Sequence, residues 1–151
     1  QAQNFPSGTT EIATGPGTLR VHSGWVGNFN AHDFHVYSFQ LKVDGTDEPW
    51  NQIPLVIPGQ PQMEFLVKNT TTADFTTRDA VLRREGGHWV LTVAELKFDE
   101  TPYDDDAWVE LRSYVLRHLD EEHRWIFEQS STGRAPQGMT VDDFIESASG
   151  S

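Results

Sequence analysis

The chain has no cysteine, so a disulfide framework, a thiolate nucleophile and a thiolate metal ligand are all excluded. Positive charge is scarce as well: 11 Lys and Arg stand against 23 Asp and Glu, a formal charge of −12. No basic cluster interleaves with aromatics, which disfavours nucleic acid and anionic membrane surfaces as partners. No apolar run approaches the ~20 residues needed to span a bilayer, so membrane insertion is not expected. The short signatures of common chemistries are missing too. There is no Gly-x-Ser-x-Gly elbow, Ser-x-x-Lys, His-Glu-x-x-His, phosphate-binding loop or dinucleotide fingerprint. The opening residues, "QAQNFPSGTTEIATGPGT", offer neither a basic start nor an apolar stretch, and any signal peptide is expected to have been removed.

What is present is a large apolar and aromatic content. Of 151 residues 36% are apolar, and five Trp and nine Phe give far more sticky surface than a disordered chain carries. The length suits one domain with one ordinary core. Residues 1–17, rich in Gly, Thr, Pro and Gln, read as a flexible N-terminal arm, which leaves 18–151 as a single domain.

Within that domain the pattern is one of strands. "TLRVHSGWV" alternates, and "HDFHVYSFQLKV" is aromatic and β-branched throughout. "RDAVLRREGGHWVLTVAELKF" is a hairpin whose Gly86-Gly87 turn sets Arg84 opposite Trp89, Leu82 opposite Leu91 and Ala80 opposite Val93. "WVELRSYVLRHLDEEHRWIFEQ" is a second hairpin. Centred on Asp120-Glu121, it sets His118 opposite His123, Leu116 opposite Trp125 and Tyr114 opposite Phe127. Leu82, Leu91, Val93, Leu116, Trp125 and Phe127 are then expected in the core. Thr140 as N-cap with Asp143 three residues on predicts one short C-terminal helix in "TVDDFIES". The class is all-β, built of extended antiparallel hairpins.

Four constellations carry candidate chemistry. In "GNFNAHDFHVYSF", strand alternation sends His32 and His35 to opposite faces, so they are not expected to share a metal ion. Asn28, Asn30, His32 and Asp33 form turn chemistry, and with His35 and Tyr37 they make the candidate ligand-binding loop. Trp25, Tyr37 and Trp50 are its first aromatic contacts to test. His118 and His123, if directly opposed, would stand ~5 Å apart at Cβ and could share a divalent metal, with Glu121 and Glu122 nearby. The run "KFDETPYDDDAW" has carboxylates enough for a hard cation but lacks the order of an EF-hand loop, and a solvated loop explains it as well. Glu95 and Glu110 could pair across strands as hydrolytic carboxylates, with nothing further in support. "NTT" at 69–71 fits a glycosylation acceptor.

The order of segments "GWVGNFNAHDFHVYSFQL", "WNQIPLV", "AELKFDETPYDDDAWVELRSYVLRHLDEEHRWIFEQ" and "TVDDFIES", over residues 18 to 147, resembles the CarG-like carbapenem self-resistance proteins. The resemblance implies an extended all-β fold with a cystine-knot-like outline that needs no disulfides, periplasmic or secreted. It implies a small-molecule or protein partner and protection against a carbapenem without an established hydrolytic mechanism. The expectation is therefore a binding domain rather than an enzyme, with no resident cofactor. Metal binding by the hairpin histidines ranks second and an uncharacterised hydrolase third. A homodimer is left open.

Overall fold

The structure, a computed structural model, describes residues 2–3, 5–27 and 33–149. Strands β1 (Ala2–Gln3) and β2 (Gly8–Ala13) precede the long pair β3 (Gly17–Val26) and β4 (Phe34–Val43). Five two-residue strands follow: β5 (Asn51–Gln52), β6 (Leu55–Val56), β7 (Met63–Glu64), β8 (Val67–Lys68) and β9 (Thr70–Thr71). A meander of β10 (Thr76–Glu85), β11 (His88–Lys97), β12 (Trp108–Leu119) and β13 (Arg124–Arg134) then leads to α1 (Val141–Ser149).

The strands make two sheets. The larger runs β1-β10-β11-β12-β13-β6-β7 with β9 also on β10, and the smaller runs β2-β3-β4-β5 with β8 also on β4. β13 and β6 pair in parallel, while the hairpin pairs are antiparallel. Leu19, Val21, Phe39 and Leu41 of the smaller sheet meet Leu82, Leu91, Leu116 and Phe127 of the larger in one core. At its centre Phe39 and Phe127 meet edge to face, centroids 5.3 Å apart. The opposite face of the larger sheet is covered by α1, where Val141, Phe144 and Ala148 pack on Val81, Ala94 and Val109. Strand β10 therefore buries Ala80 and Leu82 toward one layer and Val81 toward the other, as side-chain alternation requires. The all-β class with one short C-terminal helix holds.

The first hairpin has the expected register, Arg84 with Trp89, Leu82 with Leu91 and Ala80 with Val93. Its turn places Gly86 at φ 55° and Gly87 at φ 84°, the doubly left-handed conformation that glycine adopts at least cost. The second hairpin differs. Its tip is a four-residue turn, Asp120 to His123, with His123 left-handed at φ 52° and its N–H donated to the Asp120 carbonyl. His118 is consequently paired with Trp125, and Leu116 with Phe127. The same register sets Tyr114 opposite Gln129, and a bulge between Ser113 and Tyr114 then sets Ser113 opposite Ser131. The slip of two residues preserves which face is apolar, so Leu82, Leu91, Val93, Leu116 and Phe127 are buried as expected, and Trp125 is half-buried against the same core.

The arm read over residues 1–17 is also corrected. Glu11, Ile12 and Ala13 pair with Arg20, Leu19 and Thr18, and Ile12 and Phe5 enter the core. A single apolar side chain in that strand is all an edge position needs, which is why composition misrepresented it. Gly17 begins the return strand, and a Cβ there would collide with the Lys42 carbonyl.

Truncation of fully buried Phe127 to Ala should cost about 3–5 kcal/mol in denaturant unfolding. A loss below about 1 kcal/mol would contradict its place between the sheets.

Candidate functional site

Of the loop residues expected to bind ligand, Asn28, Asn30 and His32 lie outside the described residues. Asp33, His35 and Tyr37 are placed, and the last two serve the fold. The His35 backbone N–H donates to Asn69 Oδ1 at 2.6 Å, and its Nε2 lies 3.0 Å from Ser7 Oγ, which fastens the N-terminal segment to β4. Asn69 is thereby buried, so its side chain is not presented as a glycosylation acceptor. Tyr37 is 4% exposed and donates its hydroxyl to Asp79 Oδ1 at 2.7 Å, a tie between the two sheets. The expected role of Tyr37 as a surface contact is thus replaced by a structural one. Trp25 is exposed, and Trp50 is half-buried beneath the Arg20 guanidinium.

The hairpin histidines are not opposed. His118 lies against Trp125 and places Nδ1 2.6 Å from Asp120 Oδ1, whereas His123 sits in the turn. Among the described residues no group of three or more His, Cys, Asp or Glu is arranged to hold a metal ion. Glu95 and Glu110 do pair across β11 and β12. Their carboxylates are engaged by cations, Glu95 with Arg78 and Lys97, Glu110 with Arg112 at 2.8 Å and Lys97 at 3.8 Å. That network sits on the sheet as an ion-pair lattice rather than a free acid and base.

A concave feature among the described residues lies elsewhere, at the end of the larger sheet beside α1. A cleft of about 740 Å³ is walled by the acidic loop after β11 and by the segment joining β13 to α1. Leu96, Trp108, Val109, Met139 and Val141 supply its apolar lining. The acidic loop is held by its own hydrogen bonds. Asp104 accepts from the Glu100 N–H at 2.9 Å and the Thr101 hydroxyl at 3.1 Å, and these contacts, the backbone N–H first, hold its carboxyl below the usual range. Tyr103 packs edge-on against Phe75 and donates its hydroxyl to Asp74 at 2.6 Å, which docks the loop onto the start of β10. The other wall is set by the reciprocal cap in which Thr140 and Asp143 exchange hydrogen bonds of 3.1 and 3.0 Å. Thr76 N–H donates to Asp142 across the junction at 3.4 Å. Asp105 and Asp106 stand at the rim, and Arg134 lies with its Cζ 3.7 Å over the Trp108 ring.

The sequence offers the acidic run as a cation loop or as a solvated connection between strands, not as the wall of a cleft. The cleft draws its walls from positions 75–76, 96, 102, 105–109 and 134–141. A mixed aromatic and acidic loop between two strands, with a capped helix later in the chain, was the signal available.

No family model matches the chain, and no curated protein does. Its fold is similar to a solved structure titled "Crystal structure of CarG", with a TM-score of 0.74 over 97% of this chain and 94% of that one, at 17% identity. The chain has a CarG-like fold over nearly its whole length.

Burial raises the Asp79 carboxyl above its ordinary value, and Asp142 adds to this, while the bonds from Tyr37 and Ala80 and the nearby His35 oppose it. The folded protein therefore holds this proton more tightly than the unfolded chain. Its contribution to stability is present at low pH and is lost as pH rises from the ordinary carboxylate range near ~4 through the raised folded value. Asp79→Asn keeps an oxygen for both donors but no charge. The variant should gain on wild type as pH rises through that window in urea unfolding, and a pH-independent difference would refute the assignment.

Proposed function

We propose that this chain is a non-catalytic binding domain that receives a small organic molecule in the cleft beside α1. The observation that carries this reading is the cleft itself. Its volume falls in the ~300–1,000 Å³ range of small-molecule sites, its lining is largely aromatic and aliphatic, and a few polar groups converge on it. A loop clamped by Asp104 and Tyr103 on one side and a capped helix start on the other give walls formed before any ligand arrives, which lowers the ordering cost of binding.

The CarG-like fold and the resemblance of the segments to carbapenem self-resistance proteins nominate a carbapenem as the ligand and sequestration as the mode of protection. The same resemblance supports a periplasmic or secreted location. Binding without turnover is favoured over hydrolysis because the paired Glu95 and Glu110 are both engaged by Arg and Lys, leaving neither as a free base.

A ligand that binds only the native state stabilises it by about 2.7 kcal/mol at a hundredfold excess over Kd. For a domain of this size that corresponds to a rise in Tm of about 5–10 °C. Thermal unfolding with a carbapenem should show this rise while the β-lactam absorbance stays constant. An unchanged Tm, or steady loss of the β-lactam absorbance, would overturn the reading.

A further inference from the structure

The geometry points to Arg134 as an anion anchor that makes the cleft selective for ligands with a single carboxylate on a flat apolar body. The inference rests on the cleft being the binding site and adds the charge and shape of what it takes.

The chain has a formal charge of −12, and seven of its eleven Lys and Arg hold a carboxylate. Arg20, Arg78, Arg83, Arg112, Arg117 and Arg124 each hold a glutamate. Arg134 pairs with no carboxylate among the described residues, although its cross-strand partner is Glu110. That carboxylate is held instead by Arg112 at 2.8 Å and Lys97 at 3.8 Å. Arg84, Lys42 and Lys68 likewise lack a carboxylate partner among the described residues, but Lys42 is held by the Glu48 backbone carbonyl, Lys68 lies over Phe34, and none of the three lines the cleft.

The stack on Trp108 explains how such a cation is kept in place. With Cζ 3.7 Å over the ring, the guanidinium is held through its face, and a face contact consumes none of its five N–H donors. A planar fork fixed by its face and open at its edge matches the bidentate geometry of a carboxylate. The half-buried Trp108, with Leu96 and Met139, offers the surface on which the body of the same ligand would lie. The rim carboxylates Asp105 and Asp106 act on the net charge of the guest. One cation and two anions tolerate a monoanion seated on the cation, but a second negative group would meet the aspartates without a partner.

Naphthalene-2-carboxylate, its neutral carboxamide and naphthalene-2,6-dicarboxylate, titrated against the whole chain, separate these terms. The readout is the Trp108 indole N–H signal, assigned through Trp108→Phe. The monocarboxylate should bind about tenfold more tightly than the carboxamide, as expected for a charge-assisted pair, and the dicarboxylate more weakly than the monocarboxylate. Arg134→Gln should erase the preference for the acid while the carboxamide affinity stays within about twofold, and Arg134→Lys should retain only part of it. An acid-to-amide ratio unchanged in Arg134→Gln, with both compounds still bound, overturns the anchor and leaves the binding cleft standing. If neither compound moves the Trp108 signal at millimolar concentration, the cleft reading falls and the anchor with it.

Discussion

The structure depends on an apolar seal made without a covalent tie. With no cysteine in the chain, what joins the two sheets is the layer in which Phe39 of β4 meets Phe127 of β13, flanked by Leu19, Leu41, Leu82 and Leu91. Each of these side chains is fully buried, and burial at roughly 25 cal/mol per Å² is the main force available to such a fold. A buried polar tie crosses the same gap, the bond from Tyr37 to Asp79, and it is shielded enough that the carboxyl is raised by burial. The seal also fixes the larger sheet as a platform whose reverse face can carry α1.

That second layer creates the proposed binding cleft. Because Val141, Phe144 and Ala148 must sit on Val81, Ala94 and Val109, the chain leaving β13 has to turn over the sheet end before the helix starts. The acidic loop between β11 and β12 emerges at the same end and is pinned there by Tyr103 on Phe75 and Asp74. The space between these segments is the cleft, so its floor is rigid sheet and its walls are short, internally bonded loops. Arg134 is the last residue of β13 and Trp108 the first of β12. The stacked pair is thus held on strands rather than on loops, where precision is greatest.

Much of the fold could be read in advance, for reasons tied to particular residues. Gly86-Gly87 announces its own turn type, so the register of the first hairpin follows from two residues. The second hairpin carries no glycine at its tip, and His123 supplies the left-handed conformation instead. Symmetry about Asp120-Glu121 therefore misplaced the partners by two while leaving the apolar face intact. The capped helix was legible because Thr140 and Asp143 do locally what their spacing predicts. The site was less so. Tyr37 and His35 drew attention as polar residues in an aromatic strand, but their partners Asp79, Ser7 and Asn69 come from distant positions that no local pattern exposes. The cleft is likewise assembled from four segments, and only the packing of α1 brings them together.

The central claim is that the working surface lies at the α1 end of the larger sheet and not on the polar loop ahead of β4. Mapping backbone amide shifts during titration with a carbapenem tests it most directly. The account predicts perturbations grouped on 75–76, 105–109 and 134–141, with the amides of Ser7, His35 and Asn69 unmoved. Perturbations centred on residues 33–37 and Ser7, with the cleft silent, would contradict it.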